Sequence, residues 1–289
     1  MHTSHGVWGV REGIIITLRD SQGQNAQGEI APIPWFGSET IDEAIEFCQQ
    51  QKKTITLEDI QAISNDLPAC QFGLESAFLK INRQFEEVKE DCINYCYLLP
   101  TGKQVLEQSY QSNNNNQATF KWKIGIDKVE TEIAILKQLI NKLPHNGRLR
   151  LDANGGFTVA EAQKLLEFTE NKEIIEFIEQ PLPPSQFSDM MELSKRYNTC
   201  LALDESVANI TQLKSCYQKG WRGVFVIKPL IMGFPSQLRQ FCQQHNLDLV
   251  FSSVFETSIG RQTALQLAWK LGNRNRAVGF GVKHWFEDS

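Results

Sequence analysis

The chain has 289 residues, of which 41% are hydrophobic and 22% are charged, a composition typical of one large globular domain, or one large and one small domain. The formal net charge is −5 and no run rich in arginine and lysine occurs, which argues against a nucleic acid partner. No apolar run approaches the roughly 20 residues of a membrane-spanning helix, and the first residues lack the pattern of a secretory signal.

The cysteines bear on the cellular compartment. There are seven, an odd number, and no two of them form a CxxC pair. Most are flanked by apolar residues, so we expect buried free thiols in a reducing cytoplasm in preference to zinc ligands or disulfide bonds. These totals predict a cytoplasmic protein that binds neither nucleic acid nor a membrane.

The first part of the chain predicts strands followed by helices. A β-rich run over residues 13–19, a turn and a second strand over residues 26–33 favour an antiparallel hairpin. Three helices are expected next, at residues 41–51, 57–63 and 68–88. Thr40 is placed to cap the first of them, with Glu43 in position for a capping box. This order is typical of an α+β layout, so residues 1–90 are predicted to form a small capping domain.

Strands alternate with helices over the remainder of the chain. The eight predicted strands lie at residues 93–99, 119–125, 149–152, 174–179, 200–204, 224–228, 247–252 and 277–281. Helical patterns separate them, among them residues 129–143, 159–168, 187–197, 210–218 and 263–271. Most successive strand ends are about 25–30 residues apart, the length of one strand, one helix and two short loops. The alternation predicts a (β/α) barrel over residues 91–289, with an asparagine run at 113–116 in a mobile surface loop.

Five of these strands end on a charged residue, in the order Lys123, Asp152, Glu179, Asp204 and Lys228. The carboxyl ends of parallel barrel strands meet at one face, so these side chains are predicted to converge there. A solvated residue at the start of a loop explains any one of them equally well. It does not explain five in the same register.

The three acids suggest a metal site. Asp152, Glu179 and Asp204 supply oxygen ligands from adjacent strands, and they would repel one another without a cation between them. A set of oxygen ligands without histidine or cysteine favours Mg²⁺, or Mn²⁺, over zinc. The alternative is a trio of surface acids, against which the barrel register argues.

Two lysines are predicted to flank that metal, Lys123 on one side and Lys228 on the other. A lysine that is partly removed from water and close to other cations can act as a general base near neutral pH. Lys121 lies on the same side of its strand as Lys123, so that face is charged, unless Lys121 is only a solvated strand residue. A base beside a metal ion is suited to removing a proton next to a carboxylate, which gives an enediolate that the metal stabilises.

The strand-end motifs resemble the enolase superfamily, in which a lysine base with Mg²⁺ is an established pattern. Those similar to its muconate-lactonising subgroup are Lys121-Trp122-Lys123, Asp152-Ala153-Asn154, Glu179-Gln180-Pro181, Asp204-Glu205-Ser206 and Ile227-Lys228-Pro229. Other segments are most similar to members that form o-succinylbenzoate, namely Gly28-Glu29-Ile30-Ala31-Pro32, Trp35-Phe36-Gly37-Ser38, Phe72-Gly73-Leu74-Glu75 and the segment from Ser252 to Ser258. The resemblance covers nearly the whole chain and implies an enolase-type (β/α) barrel with a small N-terminal α+β capping domain.

The resemblance also implies a reaction and a site. The reaction is the hydro-lyase step that converts 2-succinyl-6-hydroxy-2,4-cyclohexadiene-1-carboxylate to o-succinylbenzoate, in menaquinone or phylloquinone synthesis. Lys123 would remove the α-proton and return it to the leaving hydroxyl, while Lys228 stabilises the enediolate and the three carboxylates hold Mg²⁺. The expected substrate contacts are Lys121, Arg150, Asn154, Ser252 and Ser258. Arg150 could instead be a buried structural partner of a neighbouring carboxylate. The two serines could instead have a structural role, in a turn or as an N-cap.

Other activities remain open at the level of sequence. N-acylamino acid racemases and dipeptide epimerases of the same subgroup need both lysines as well. Dipeptide epimerases carry an acidic pair at the last strand, and Gly279-Phe280-Gly281-Val282-Lys283 contains no acid. A barrel with a Schiff-base lysine, as in aldolases, and a non-catalytic binding module are alternatives from other classes. Members of the subgroup usually have one more strand before His5-Gly6-Val7-Trp8, so we expect either a shortened start or a start farther upstream.

Overall fold

The computed structural model describes residues 2–3, 6–7, 9–84, 88–89, 92–108, 110 and 118–281, so the asparagine run at 113–116 lies outside the described residues. The strands are β1 (His2–Thr3), β2 (Gly6–Val7), β3 (Ile14–Arg19), β4 (Asn25–Ile30), β5 (Tyr95–Leu98), β6 (Thr119–Lys123), β7 (Arg148–Asp152), β8 (Ile175–Glu179), β9 (Leu201–Leu203), β10 (Val224–Ile227), β11 (Asp248–Phe251) and β12 (Val278–Gly281). The α-helices are α1 (Ile41–Gln49), α2 (Leu57–Gln61), α3 (Pro68–Ile81), α4 (Val129–Lys142), α5 (Val159–Thr169), α6 (Phe187–Arg196), α7 (Ile210–Gln218), α8 (Pro235–Gln244) and α9 (Ser258–Leu271). Within the described residues, none of the helices is both long and apolar enough to cross a membrane.

A small N-terminal domain packs an antiparallel hairpin against a helix. Strands β3 and β4 pair along their whole length, as predicted, and β1 pairs with β2. Helix α3 approaches β4 so closely that a Cβ atom on Gly28 would lie 2.0 Å from the carbonyl oxygen of Gly73. Gly28 therefore has to be glycine, because any side chain there would push the helix away from the sheet.

Reciprocal capping fixes where two of the longer helices begin. The Thr40 side chain accepts a hydrogen bond from the Glu43 backbone, and the Glu43 side chain accepts one from the Thr40 backbone, which confirms the predicted capping box. Thr158 and Glu161 repeat the arrangement at the start of α5. Replacing such a cap by alanine costs about 0.5–2 kcal/mol, so these residues specify the helix starts locally.

Eight parallel strands form a nearly closed barrel, in the order β11, β10, β9, β8, β7, β6, β5, β12. A parallel bridge between Ser252 and Gly279 joins the two edge strands, and the Ser253 amide donates to the Gly279 carbonyl at 3.1 Å. A Cβ on Gly279 would lie 2.7 Å from Ser252 Oγ and 3.3 Å from Ser252 Cα, so glycine allows the two strands to approach closely here. The predicted (β/α) barrel with a small N-terminal α+β domain is confirmed.

The barrel interior is filled by side chains. Phe177, Ala202, Val224, Val226 and Val250 form one buried cluster, separate from the larger core between strands and helices. Burial on both faces explains why every residue of β10 is buried. A filled interior leaves the loops at the strand ends as the place for a site.

Two helix boundaries differ from the predicted ones by more than two residues. Helix α3 ends at Ile81 rather than at residue 88, because Arg83 has a φ of 54° and this left-handed conformation stops a helix. Helix α9 begins at Ser258 rather than at residue 263, because Thr257 accepts a hydrogen bond from the Ile259 backbone as its N-cap. The division of the chain at residue 90 stays a prediction.

Candidate active site

The five charged strand-end residues lie at the carboxyl ends of consecutive barrel strands. Lys123 is opposite Asp152 in the register of β6 and β7, and Asp152 is opposite Glu179 in that of β7 and β8. Asp204 and Lys228 directly follow the last residues of β9 and β10. The strand register thus brings all five to the same end of the barrel.

The three carboxylates are removed from water, and Lys121 lies between two of them. Asp152 and Glu179 are each 2% exposed and Asp204 is 3% exposed. Lys121 Nζ lies 2.8 Å from Asp152 Oδ2 and 2.7 Å from Glu179 Oε1. The ammonium of Lys121 therefore offsets the repulsion between two buried acids.

Burial and charge shift the ionisation of this cluster in different directions. Burial together with the charge of Asp152 raises the pKa of Glu179 to about 8. Burial also acts to raise the pKa of Asp152, but the charges of Lys121, Lys123 and Lys228 together outweigh it and the net pKa is lowered. Burial acts to lower the pKa of Lys121, yet the charges of the three carboxylates together outweigh it and the net pKa is raised well above the usual value. Lys121 and Asp152 consequently stay charged as a pair near neutral pH.

Lys228 has one partner from the barrel and one from the N-terminal domain. Its Nζ donates a hydrogen bond to Asp204 Oδ1. The same ammonium lies 3.9 Å from the centre of the Phe36 ring, on the short 3-10 helix Pro34–Phe36. Burial raises the pKa of Asp204, against the lowering effect of the Lys228 charge. The N-terminal domain thus places an aromatic face against a lysine of the site.

Lys123 is held by an amide. Its Nζ donates to Asn154 Oδ1 at 3.1 Å, and Asn154 Nδ2 donates to Glu205 Oε1 at 2.9 Å. Burial raises the pKa of Glu205, although the charge of Lys228 lowers it. A fourth acid therefore stands next to the three predicted ones and connects to Lys123 through Asn154.

The carboxylate oxygens of the site are ligands that suit a hard divalent cation, although the side chains are not arranged around one in this structure. Oxygen ligands from Asp152, Glu179 and Asp204 are the type that Mg²⁺ prefers. In the described part of the chain, no group of three or more His, Cys, Asp or Glu side chains is arranged to hold a metal ion. Ammonium groups contact all three predicted acids, Lys121 touching two and Lys228 the third. These contacts show that the trio requires positive charge, which a divalent cation would also supply.

Arg150 makes its contacts with other partners. It is 2% exposed, and its Nε donates to Glu176 Oε2 at 2.7 Å. Its guanidinium lies 4.9 Å from the centre of the Phe177 ring, and Glu176 also accepts from Arg276 Nη1 at 2.9 Å. These contacts favour the structural alternative, a buried partner of a carboxylate, and the predicted substrate contact stays a prediction.

The two serines lie at the barrel closure and the start of α9. Ser252 is partly exposed and forms the closing bridge with Gly279. Ser258 is exposed as the first residue of α9, and the N-cap itself is Thr257. Thr257, and not Ser258, is therefore the N-cap of α9. Substrate contacts by Ser252 and Ser258 stay predictions.

Two residues of the site are absent from the set predicted from sequence, Glu205 and Phe36. Glu205 had a local signal, because it directly follows Asp204 at a strand end. Phe36 had a weaker one, as part of a loop that carries two neighbouring aromatics, Trp35 and Phe36. Nothing local indicates that this loop reaches Lys228, since the contact joins two distant parts of the chain.

Two families match the chain in separate segments. The family described as "MenC, N-terminal domain" matches residues 6–81. The family described as "Enolase C-terminal domain-like" matches residues 105–289, which is more than half of the chain. The first segment holds the antiparallel hairpin and α3, and the second holds the strand ends that carry the charged residues.

Individual proteins are similar along almost the whole chain. An o-succinylbenzoate synthase from Thermosynechococcus vestitus is 40% identical over 287 residues, which cover 98% of this chain and 88% of that protein. The crystal structure of o-succinylbenzoate synthase from Thermosynechococcus elongatus BP-1, complexed with Mg in its active site, has a TM-score of 0.88 at 39% identity, covering 98% of this chain and 88% of that one. A dipeptide epimerase from Enterococcus faecalis V583 has a TM-score of 0.74 at 21% identity, covering 94% of this chain and 85% of that one, a likeness of fold alone. The chain belongs to the o-succinylbenzoate synthase family of the enolase superfamily.

Proposed function

We propose that the protein is a lyase that dehydrates 2-succinyl-6-hydroxy-2,4-cyclohexadiene-1-carboxylate to o-succinylbenzoate, in menaquinone or phylloquinone biosynthesis. The observation that carries this proposal is the 40% identity, along 98% of the chain, to a protein named for that reaction. The fold alone does not select it, since a dipeptide epimerase has the same fold at 21% identity. The arrangement of lysines and carboxylates at the barrel end supports the chemistry.

Three buried acids would hold the metal. Asp152, Glu179 and Asp204 offer oxygen ligands from three consecutive strands, a donor set that suits Mg²⁺, with Mn²⁺ as an alternative. When bound there, Mg²⁺ supplies positive charge that stabilises negative charge on the substrate carboxylate. Lys121 contacts two of these acids and so keeps them close to each other.

Lys123 moves the proton. In its amine form, Lys123 Nζ removes the proton α to the substrate carboxylate, which leaves the electron pair in an enediolate; that pair forms the new ring double bond as the hydroxyl leaves. The same Nζ then donates a proton to the leaving hydroxyl, so that one proton and one hydroxyl depart together as water. A base that acts only in this chemical step contributes to turnover and little to substrate affinity.

Lys228 supplies a fixed positive charge. Its ammonium contacts Asp204 and the Phe36 ring and is mostly shielded from bulk water. A charge at such a site acts more strongly on a developing negative charge than one in water does. Lys228 thereby stabilises the enediolate that forms when Lys123 removes the proton.

The cytoplasmic location predicted from the sequence is part of this proposal. All seven cysteines lie in the described part of the chain and are free thiols. Three of them are buried, and burial raises the pKa of Cys96 to about 11. Seven free thiols support a reducing compartment.

An assay with a substrate panel tests the proposal. The hydroxycyclohexadiene carboxylate is supplied by a coupled upstream enzyme, and dehydration is followed with Mg²⁺ present, with a chelator, and after Mg²⁺ is restored. We expect turnover that the chelator abolishes and Mg²⁺ recovers, and no comparable turnover of N-acylamino acids or dipeptides. Racemisation of an N-acylamino acid or epimerisation of a dipeptide without dehydration would identify one of the rival activities. Borohydride trapping of a lysine with a carbonyl substrate would instead identify Schiff-base chemistry.

A further inference from the structure

A short hydrogen-bonded series leads from Lys123 into the protein. Lys123 Nζ donates to Asn154 Oδ1 at 3.1 Å, and Asn154 Nδ2 donates to Glu205 Oε1 at 2.9 Å. The three side chains come from the ends of β6 and β7 and from the segment after β9. Asn154 thus lies between a lysine and an acid, and both the oxygen and the nitrogen of its side-chain amide form hydrogen bonds.

The orientation of the Asn154 amide is determined by its two neighbours. A lysine ammonium has only donors, and an ionised carboxylate has only acceptors. Turning the amide over would place its NH₂ group against Lys123 and its oxygen against Glu205, which would lose both hydrogen bonds. The observed orientation is the one in which every contact joins a donor to an acceptor.

The backbone of Asn154 is also held in place. Its φ is 44°, a left-handed conformation that asparagine tolerates better than most residues. The Asn154 amide N–H lies 3.3 Å from Asp152 Oδ1, and the next residue, Gly155, donates to the Gln180 carbonyl at 2.7 Å. A turn held on both sides gives the Asn154 side chain a defined position from which to reach Lys123.

Glu205 is difficult to explain as a structural residue alone. Its Oε2 is buried and, among the described residues, has no hydrogen-bond partner, so the hydrogen bond that Oε1 accepts from Asn154 is the one that fixes the position of this carboxylate beside the Lys228 charge. A buried carboxylate with few partners is unfavourable, and an apolar residue of the same size would be less costly there. The hydrogen bond to Asn154 suggests that this unfavourable burial is kept because Glu205 has a functional role.

We propose that Asn154 and Glu205 are positioning residues that orient Lys123 for proton transfer, with Glu205 acting through Asn154, and that Asn154 is not a substrate contact. The proposal rests on the proposed function, which makes Lys123 the base. A lysine side chain has four flexible carbons, so an unheld ammonium samples many positions. Misplacing a catalytic group by about 1 Å can cost about 100-fold in rate, so a fixed partner for Lys123 matters for turnover.

Steady-state kinetics with the hydroxycyclohexadiene carboxylate test the proposal. Asn154→Gly is the preferred variant, because glycine adopts a positive φ without strain and lacks the amide. We expect kcat to fall roughly 10- to 100-fold while KM changes by less than about threefold. A KM raised about tenfold or more with kcat unchanged would overturn the proposal and make Asn154 a substrate contact, as predicted from the sequence.

A double-mutant cycle separates action through Asn154 from independent action. We expect Glu205→Ala to lose about as much turnover as Asn154→Gly, and the double variant to lose no more than about twofold beyond either. Glu205→Gln keeps an acceptor oxygen for Asn154, so it should recover most of what Glu205→Ala loses. If the losses of turnover add up in the double variant, or if Glu205→Gln recovers no turnover, Glu205 does not act on Lys123 through Asn154.

A measurement without metal or substrate completes the test. The acylation rate of the Lys123 amine is compared with that of exposed Lys128 in the metal-free protein, by mass spectrometry. We expect Asn154→Gly and Glu205→Ala to raise the ratio roughly threefold to tenfold, as loss of one net hydrogen bond implies. An unchanged ratio would overturn the proposal even if both variants are slow. This result does not depend on the reaction, so an inactive wild type would contradict only the proposed function.

Discussion

The lysines of the site differ in what each one contacts, and the contacts match their proposed roles. Lys121 lies between two acids, Lys228 contacts Asp204 and the Phe36 ring, and Lys123 contacts the Asn154 amide. A lysine bound to carboxylates is stabilised as a cation, which suits a charge that persists through the reaction. Lys123 is held by a hydrogen bond to a neutral amide, which fixes the position of its nitrogen for proton transfer.

Removing Lys123 tests its role as the base. In Lys123→Ala we expect turnover to fall at least about a thousandfold, within the range that a general base contributes, because the variant lacks the proposed base. Binding of Mg²⁺ and of o-succinylbenzoate should be retained, since the base acts only in the chemical step. The measurements are kcat and calorimetric titrations with metal and product. Lys128→Ala, which removes an exposed lysine from the loop after β6, serves as the control and should keep wild-type turnover.

The outcome that contradicts this assignment is specific. Activity of Lys123→Ala above about a thousandth of the wild-type value would mean that another group removes the proton. Loss of metal binding in the same variant would show that Lys123 supports the metal site rather than the chemistry.

Individual residues were predictable from the sequence where their position depends on local pattern. A charged residue after an alternating apolar run indicates a strand end, which is how Lys123, Asp152 and Glu179 are found. Contacts between distant segments leave no such pattern. The place of the Phe36 ring against Lys228 is fixed only when the domains pack, so it could not be predicted.

At the scale of elements, two acids of the N-terminal domain hold the starts of two barrel helices. Glu29 accepts hydrogen bonds from the Thr257 amide at 2.9 Å, the Thr257 hydroxyl at 2.6 Å and the Gly260 amide at 2.9 Å, at the start of α9. Glu75 accepts from the Ser236 amide at 2.8 Å and the Ser236 hydroxyl at 2.6 Å, at the start of α8. Helix starts have unpaired N–H groups and favour negative charge, so these contacts fix the domain against the barrel. They thereby fix the loop that carries Phe36.

Truncating Glu29 tests how much this attachment contributes to stability. Glu29 is 3% exposed, so Glu29→Ala leaves several buried donors without their acceptor, and we expect a loss of about 2–4 kcal/mol of unfolding free energy. Glu29→Gln keeps one acceptor oxygen and should lose less. Urea unfolding at a fixed Mg²⁺ concentration measures both, and Glu192→Ala, at an exposed glutamate of α6, should stay within about 0.5 kcal/mol of wild type. A Glu29→Ala loss as small as that of the control would mean that the contact does not hold the domains together.

The elements themselves were predictable to different degrees. The capping boxes at Thr40 and Thr158 identify helix starts because the capping residues are three positions apart. The start of α9 was placed too late, because the first turn contains Gly260, a poor helix former. An added Cβ on Gly260 would lie 2.6 Å from Leu230 Cδ2 and 2.7 Å from Glu29 Oε2, so neighbours that are distant in sequence favour glycine there. Tertiary contact there outweighs local propensity.

The whole molecule combines a filled barrel with a small domain that contributes to its catalytic end. The alternation of strands and helices predicts the barrel, because each strand–helix unit has the same length and the same hydrophobic period. The closure between Ser252 and Gly279 depends on the sum of all eight strands, so no single segment predicts it. In our proposal, the three carboxylates at this barrel end, which contact Lys121 and Lys228, also bind a divalent cation.

Calorimetric titration of Mg²⁺ tests this central claim most directly. The wild-type protein, Asp204→Asn and the control Asp42→Asn, at an exposed residue of α1, are titrated under identical conditions. We predict one Mg²⁺ site in the wild type and in the control. We predict affinity weakened by more than about tenfold in Asp204→Asn, because losing a direct ligand costs at least as much as losing a supporting residue. Absence of Mg²⁺ binding by the wild type, or equal affinity in wild type and Asp204→Asn, would contradict the account.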